Sequence, residues 1–182
     1  MNRLKEIYRT KYRDELKKDL GLESIMAVPT LEKIVVNCGV GEAASNAEAL
    51  KDTIEMIQLV TGQKPVTTRA KKAVATFKIR QGDEIGVMTI LRGERMWDFF
   101  DKLINITIPR IKDFRGLSPK AFDGSGNYSF GIEDHVVFPE VDPNKVSKIR
   151  SLQATFVFSS DDNEHSKAFL NKFGFPFTKH GN

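Results

Sequence analysis

The sequence predicts a single α+β domain, spanning residues 1–182, in which a mostly antiparallel sheet is covered by helices. Hydrophobic residues make up 40% of the chain, which is enough to build a core at this length. Some segments have apolar residues at helical spacing, and others have the short β-type runs of strands. Long hairpin-like excursions interrupt these elements. This arrangement favours α+β layers over a regular parallel βα repeat.

The first predicted elements are a helix, a strand and a second helix. Residues 3–20 form the first helix, which Gly21 ends, because its apolar positions recur every three or four residues: Leu4, Ile7, Tyr8, Tyr12, Leu16 and Leu20. After Pro29, residues 31–38 form a strand with a continuous apolar run, and Asn37 lies at its end. The spacing of Ser45 and Glu48 is typical of a capping box.

The helix that follows this capping box runs to about Thr61, and Gly62 ends it. Its predicted buried face is Ala47, Leu50, Ile54, Ile57 and Val60. A second strand is predicted from Ile85 to Leu91. The next helix covers Glu94–Ile104, with the apolar face Met96, Phe99, Phe100, Leu103 and Ile104. The spacing of Trp97 puts it at the margin of that face, and Pro109 ends the segment.

The segment from Ile108 to Asn144 is rich in Gly, Pro, Asp and aromatic residues, with a short strand predicted at Asn127–Ile132. A connection this long in a compact domain is usually functional or docked on a partner. After this segment a strand is predicted at Leu152–Phe158, where apolar and polar residues alternate, and its apolar face is expected to join the core. A last helix is predicted to be capped by Asp161, with the apolar residues Ala168, Leu170 and Phe173.

The most distinctive stretch is Thr61–Arg80, which has the composition of a nucleic-acid contact arm. Between residues 64 and 80 it has no acidic residue and six basic ones: Lys64, Arg69, Lys71, Lys72, Lys78 and Arg80. Thr67, Thr68 and Thr76 add hydroxyl donors, and Phe77 adds an aromatic face. Turn residues on both sides predict a projecting loop or hairpin. A solvated basic loop is the alternative.

Charge and cysteine content limit the class of protein. The formal net charge is only +4, so a nucleic-acid surface is expected to be a localised patch. The single cysteine, Cys38, cannot form an internal disulfide, which favours a reducing, cytoplasmic setting. We find no apolar run of membrane-span length and no signal peptide, so no membrane partner is expected.

Enzymatic function is weakly supported. Gly39-Val40-Gly41-Glu42-Ala43-Ala44 fits a dinucleotide fingerprint, but Glu42 would bring negative charge to the pyrophosphate. Three histidines, His135, His165 and His180, are far apart and lack metal-ligand spacing. We therefore predict no catalytic residue, metal or cofactor. A dinucleotide-dependent enzyme and a general single-strand binder remain the alternatives.

Six segments in order carry a resemblance that runs nearly end to end: Val28–Ala43, Thr61–Lys72, Phe77–Gly86, Leu91–Ile106, Pro109–Ile132 and Phe138–Val146. Together they are similar to the 5S-rRNA-binding ribosomal protein L5 family of the bacterial large subunit. The resemblance implies an α+β fold and a structural role in the cytoplasmic ribosome. It also implies that the chain helps to attach 5S rRNA within the central protuberance, among other large-subunit proteins.

The resemblance also implies roles for individual residues. Asn37, Gln63 and Arg92 match family residues at the 5S rRNA surface, and Thr89 is a further candidate there. The basic stretch, about residues 64–80, matches an arm that faces P-site tRNA and contains Lys64, Arg69, Lys71, Lys72, Lys78 and Arg80. The excursion at about residues 108–146 matches the side that meets small-subunit protein S13 in an intersubunit bridge, with the candidate contacts Arg110, Lys112, Phe114 and Arg115.

Some positions depart from the family pattern. Met88-Thr89-Ile90 stands where the family commonly has Lys-Val-Thr, and Ser125 stands where it has an arginine. Alternation along a strand predicts that Thr89 and Ile90 face opposite sides of the sheet. The basic segment around Phe114 would suit RNA or a protein partner, and a surface segment with a buried Phe114 is an equal alternative.

Overall fold

The N-terminal helix contains one wider, π-helical turn. The structure, a computed structural model, describes residues 2–146 and 148–178 apart from the side chain of Lys145. The helix consists of α1 (Arg3–Ile7), the π turn (Tyr8–Tyr12) and α2 (Arg13–Asp19). The predicted core residues Leu4, Tyr8 and Leu16 are buried. Their spacing in multiples of four would drift around a regular 3.6-residue helix, and the wider turn reduces that drift.

Five strands form one antiparallel sheet in the order β2-β3-β1-β5-β4. They are β1 (Leu31–Gly39), β2 (Val66–Arg69), β3 (Glu84–Leu91), β4 (Tyr128–Ile132) and β5 (Leu152–Phe158). The predicted α+β class and antiparallel sheet are confirmed. Strand β2 lies inside the basic stretch. It pairs antiparallel with β3, with Val66 opposite Met88 and Thr68 opposite Gly86.

Three further α-helices follow β1, β3 and β5, respectively: α3 (Ala47–Thr61), α4 (Gly93–Lys102) and α5 (Asn163–Lys172). Helix α4 continues through a π-helical segment and a short 3-10 turn to Arg110. Gly62 ends α3 in the left-handed conformation, as predicted. Within the described residues, every helix falls short of the length and apolar character that crossing a membrane requires.

Two helix caps differ from the sequence prediction by one residue. Asn46, not Ser45, caps α3, because its side-chain oxygen accepts hydrogen bonds from the Glu48 and Ala49 amides. Asp162, not Asp161, caps α5 by accepting from the Glu164 amide. In both places two adjacent residues have suitable side chains. The extended backbone of the second residue decides which one caps the helix.

The chain forms two compact units, and the prediction of one domain over residues 1–182 stays a prediction. The first comprises the described parts of 1–34, 92–130 and 155–182, and the second comprises 35–91 and the described parts of 131–154. The core of the first unit is aromatic. Trp97 is only 4% exposed, so its predicted marginal position is wrong. Its ring lies 5.8 Å from the rings of both Tyr8 and Phe173, which bury a position that helix periodicity alone puts at the margin.

The second unit packs α3 on β3. In β1, burial alternates, with Val36 and Cys38 buried and Val35 half-buried, so the predicted continuous apolar run is a one-sided strand. The predicted buried face of α3 is partly wrong, because Ala47 is exposed at the first turn and Ile54 is half-buried. Thr53 is buried instead, and its hydroxyl donates to the Ala49 carbonyl 2.7 Å away.

Candidate nucleic-acid interface

The basic stretch contains β2 and the tip of a hairpin whose second strand is β3. Past the end of β2, the Ala70 amide donates to the Asp83 carbonyl at 2.8 Å, which extends the pairing by one step. The Gly82 amide donates back to the Ala70 carbonyl at 3.0 Å. A Cβ on Gly86 would lie 2.5 Å from the Thr68 hydroxyl, so glycine permits the close approach of the two strands. We call residues 64–83 the basic arm.

All six predicted cations of the basic arm are exposed: Lys64, Arg69, Lys71, Lys72, Lys78 and Arg80. Arg69 is paired, with its Nη2 3.2 Å from Glu84 Oε1. The other five make no ion pair with any residue that the structure describes. Sequence reasoning missed the Arg69–Glu84 pair, because it becomes visible only when the hairpin register places residue 69 opposite residue 84. The arm therefore offers five cations to an anionic partner.

The candidate 5S rRNA residues in the second unit have different environments. Asn37 lies within β1, two residues before its end, which corrects the prediction that the strand ends there. It is half-buried, and its side-chain carboxamide forms no hydrogen bond with any residue in the ranges 2–146 and 148–178. The Gln63 side chain is held in place, because its Nε2 donates to the Ile90 carbonyl at 3.1 Å. Its amide oxygen remains available as an acceptor.

Thr89 differs from these residues because its side chain is in the interior. It is 2% exposed, whereas Ile90 is 38% exposed, which confirms that the two residues face opposite sides of the sheet. Among the described residues, no partner lies within hydrogen-bonding range of the Thr89 hydroxyl. Burial separates Thr89 from the surface, so any effect of its substitution on RNA binding would act through packing of β3.

Arg92 belongs to the first unit and forms the N-cap position of α4 in an extended conformation. Its side chain is exposed and makes no ion pair within the described part of the chain. It does not cap the helix, so the amides of the first turn of α4 keep the partial positive charge of a helix N-terminus. An anionic group near Arg92 would be attracted both by the guanidinium and by the partial positive charge of the α4 N-terminus.

The candidate protein-bridge residues follow α4 in the first unit. Arg110, Lys112 and Arg115 are exposed, and Phe114 is half-buried. The backbone between them is constrained, since Asp113 has a φ of +53°. The next residues are anchored, because the Leu117 amide donates to the Pro176 carbonyl at 2.8 Å and the Thr178 amide donates to the Leu117 carbonyl at 2.9 Å. The three cations therefore lie on an ordered surface segment.

The dinucleotide alternative does not fit the geometry. Residues Gly41–Ala44 form a 3-10 turn, and an antiparallel sheet lacks the parallel βαβ unit of that site. Glu42 accepts hydrogen bonds from Lys148 Nζ and Arg150 Nη2, each at 2.6 Å, and these hold the pKa of its carboxyl below the usual range. A paired carboxylate therefore occupies the turn where a pyrophosphate would have to lie.

The cysteine and the described histidines have environments that explain them without a catalytic or metal-binding role. Burial raises the pKa of the Cys38 thiol, which keeps it protonated in the core. His135 is buried, with Nδ1 3.1 Å from the Arg150 amide nitrogen, and His165 Nδ1 lies 3.2 Å from the Ser160 hydroxyl. His180 lies outside the described residues. Within the described ranges, no three His, Cys, Asp or Glu side chains are grouped as metal ligands would be.

Two protein-family models match the chain. The model described as ribosomal protein L5 matches residues 24–80, which include β1, α3 and most of the basic arm. The model described as the C-terminus of the ribosomal L5 family matches residues 84–177, which run from the start of β3 to beyond α5. The second match alone spans more than half of the chain.

Proposed function

Because the chain belongs to the ribosomal protein L5 family, it is a structural, non-enzymatic constituent of the large ribosomal subunit, and we propose that it binds 5S rRNA there. In this proposal it helps to attach 5S rRNA in the central protuberance, next to other large-subunit proteins. The observation that carries this assignment is Arg92, an exposed cation that makes no ion pair within the described residues and lies at the uncapped N-terminus of α4. A cation of this kind neutralises a phosphate and releases a counterion.

We assign the 5S rRNA contact to Asn37, Gln63 and Arg92. The amide groups of Asn37 and Gln63 suit the edges of unpaired bases, and the Arg92 guanidinium suits a phosphate. Gln63 supports this role because its Nε2 is already committed to the Ile90 carbonyl, which fixes the direction of the free oxygen. Thr89 is buried within β3, so in this proposal it affects the contact only through the packing of that strand.

We predict that Asn37→Ala weakens 5S rRNA binding about 2- to 10-fold, and Arg92→Ala about 10- to 100-fold. The larger loss for Arg92 follows because its hydrogen bonds to phosphate would be charge-assisted, whereas those of Asn37 are neutral. The measurement is the Kd of the full chain for 5S rRNA at several salt concentrations. The log–log salt slope should fall by about 0.7–0.9 for Arg92→Ala and stay constant for Asn37→Ala.

Two controls make this result specific. Lys120→Ala removes an exposed cation from a different part of the first unit, and it should leave Kd unchanged. An unrelated structured RNA should bind the unchanged chain more weakly than 5S rRNA. If both RNAs bind equally well, the chain is a general RNA binder. Unchanged Kd values for Asn37→Ala and Arg92→Ala would reject these site assignments.

We assign the basic arm to P-site tRNA. Neutralising Arg69, Lys71 and Lys72 together should leave the Kd for 5S rRNA unchanged within about twofold, because none of these side chains belongs to the proposed 5S rRNA contact. In ribosomes assembled with this variant, the affinity for P-site tRNA should fall. Its log–log salt slope should decrease by about two, since Arg69 is already partly neutralised by Glu84.

The matched control for the arm neutralises Lys18, Lys51 and Lys120, which are exposed cations on other elements. This control has the same net charge as the arm variant, so a difference between them reports position and not charge. A large loss of 5S rRNA affinity in the arm variant alone would show that the arm belongs to the 5S rRNA surface.

We further propose that Arg110, Lys112, Phe114 and Arg115 contact small-subunit protein S13 in an intersubunit bridge. The three exposed cations form a compact positive segment that complements an acidic protein surface. The half-buried Phe114 belongs to this segment, and its remaining exposed surface adds an apolar contact.

A further inference from the structure

The tip of the basic arm presents an aromatic ring to solvent. Phe77 is 70% exposed, and among the large hydrophobic side chains that are exposed in the described residues it is the only aromatic. The other phenylalanines of the chain that the structure describes are buried or half-buried. An aromatic ring that is this exposed needs a reason beyond stability, because its exposure gives up hydrophobic burial.

The backbone around Phe77 is closely hydrogen-bonded. Val74 and Ile79 exchange two backbone hydrogen bonds, at 2.9 and 3.1 Å. Inside this bridge, the Phe77 amide donates to the Val74 carbonyl at 3.2 Å and the Lys78 amide donates to the Ala75 carbonyl at 3.0 Å. Lys78 adopts a φ of +54°, a conformation that is unfavourable for a residue with a side chain. The hydrogen bonds of the tip therefore fix the backbone that carries the Phe77 side chain.

The charges around the tip indicate the chemistry of the partner. Lys71, Lys72, Lys78 and Arg80 lie within six residues of Phe77, are exposed and make no ion pair with a described residue. The partner must therefore offer negative charge next to a flat apolar face. An unpaired nucleobase with its flanking phosphates has both features, since bases stack on aromatic rings and phosphates pair with cations.

We propose that Phe77 is a stacking platform for an unpaired base in a loop of the tRNA that the basic arm contacts. This inference rests on the proposed assignment of the arm to tRNA and names the group within that RNA that the tip recognises. The cations supply attraction that is independent of base pairing, and Phe77 supplies preference for an unpaired base over a duplex. A duplex presents phosphates but no accessible base face.

The test compares three substitutions of Phe77 in the full chain, with tRNA and a fully paired RNA duplex as probes. Phe77→Ala should weaken tRNA binding about 5- to 100-fold without changing the salt slope, because stacking releases no counterions. Its affinity for the duplex should not change. Phe77→Trp should retain tRNA affinity, whereas Phe77→Leu, which is apolar but not aromatic, should lose it.

Two further measurements make the test specific. Leu59→Ala removes an apolar side chain that is 55% exposed on α3 in the same unit, and it should have no effect on tRNA affinity. The emission of Phe77→Trp should be quenched by tRNA and not by the duplex. The native Trp97 is 4% exposed and serves as an internal reference that the RNA does not contact.

The outcomes separate this inference from the function on which it rests. If arm neutralisation weakens tRNA binding while Phe77→Ala does not, stacking is overturned and the tRNA assignment stands. If neither change has an effect, the tRNA assignment fails and the inference fails with it. Full tRNA affinity of Phe77→Leu would overturn stacking, because an apolar side chain without an aromatic ring would then be sufficient. Loss in Phe77→Ala and Phe77→Leu, with retention in Phe77→Trp, supports it.

Discussion

Phe100→Ala is expected to lower the free energy of unfolding by about 3–5 kcal/mol, the range for truncating a buried phenylalanine. Phe100 is fully buried at the centre of the aromatic core of the first unit. Its ring meets those of Phe156 and Phe173 edge-on, at centroid distances of 5.5 and 5.4 Å. Edge-to-face pairs of this kind contribute about 0.5–1.5 kcal/mol beyond the buried area, so the loss should be near the upper end of the range.

The reason for this large effect is that the neighbours of Phe100 cannot fill the space it leaves. They come from separate parts of the fold, namely α4, β5 and the end of α5. Each is held by its own hydrogen bonds, so the cavity would collapse only in part. The free energy of unfolding of domains of this size is typically about 5–15 kcal/mol, so the substitution would remove a large share of the stability.

The measurement is urea unfolding of the full chain, followed by circular dichroism. Phe77→Ala is the matched control, since it makes the same chemical change at an exposed position and should stay within about 0.5 kcal/mol of the unchanged chain. Phe100→Leu should recover part of the loss because it refills part of the volume. If Phe100→Ala unfolded at the same urea concentration as Phe77→Ala, the proposed central position of Phe100 in the core would be wrong.

The comparison of these two phenylalanines also shows what the sequence could and could not predict. Periodicity identified Phe100 as a core residue, because its spacing from Met96 and Leu103 is helical. It misjudged Trp97, which lies between that face and two other aromatic groups that come from distant parts of the chain. Helical periodicity predicts one buried face. It therefore misses residues on a helix that other elements cover on a second side.

The same limit applies to the candidate interface. Composition identified the basic stretch, because six cations between residues 64 and 80 with no acidic residue among them stand out in any local window. The pairing of Arg69 with Glu84 depends on hairpin register, which a loop of this length does not reveal. The sequence also included Phe77 as an aromatic face of this projecting segment, and the structure adds that the residue is 70% exposed and lies at the tip of the hairpin.

The second prediction with a large effect concerns a glycine in the turn before β4. Gly126→Ala is expected to lower the free energy of unfolding by about 2–5 kcal/mol, from two sources. Gly126 has a φ of +74°, where alanine costs about 1–2 kcal/mol. A Cβ there would also fall well inside contact distance of the Ser160 carbonyl oxygen, which adds about 1–3 kcal/mol of overpacking.

Gly124, two residues earlier in the same turn, provides a matched control that separates these two sources. It has a φ of +84°, and a Cβ there would meet nothing within 4 Å. Gly124→Ala should therefore show the backbone cost alone, and the difference between the two variants should equal the steric cost. The measurement is urea unfolding of both variants in parallel under identical conditions.

The steric cost at Gly126 should be large because the opposing backbone is held in place. The Gly126 amide donates to Asn163 Oδ1 at 3.0 Å, at the first residue of α5. Asp162 caps that helix, so moving Ser160 aside would strain both the cap and this hydrogen bond. If Gly124→Ala and Gly126→Ala lowered the free energy of unfolding equally, the backbone before α5 would be able to shift away from the new Cβ at little cost. A markedly larger loss for Gly126→Ala would show that this close backbone approach fixes the turn that leads into β4.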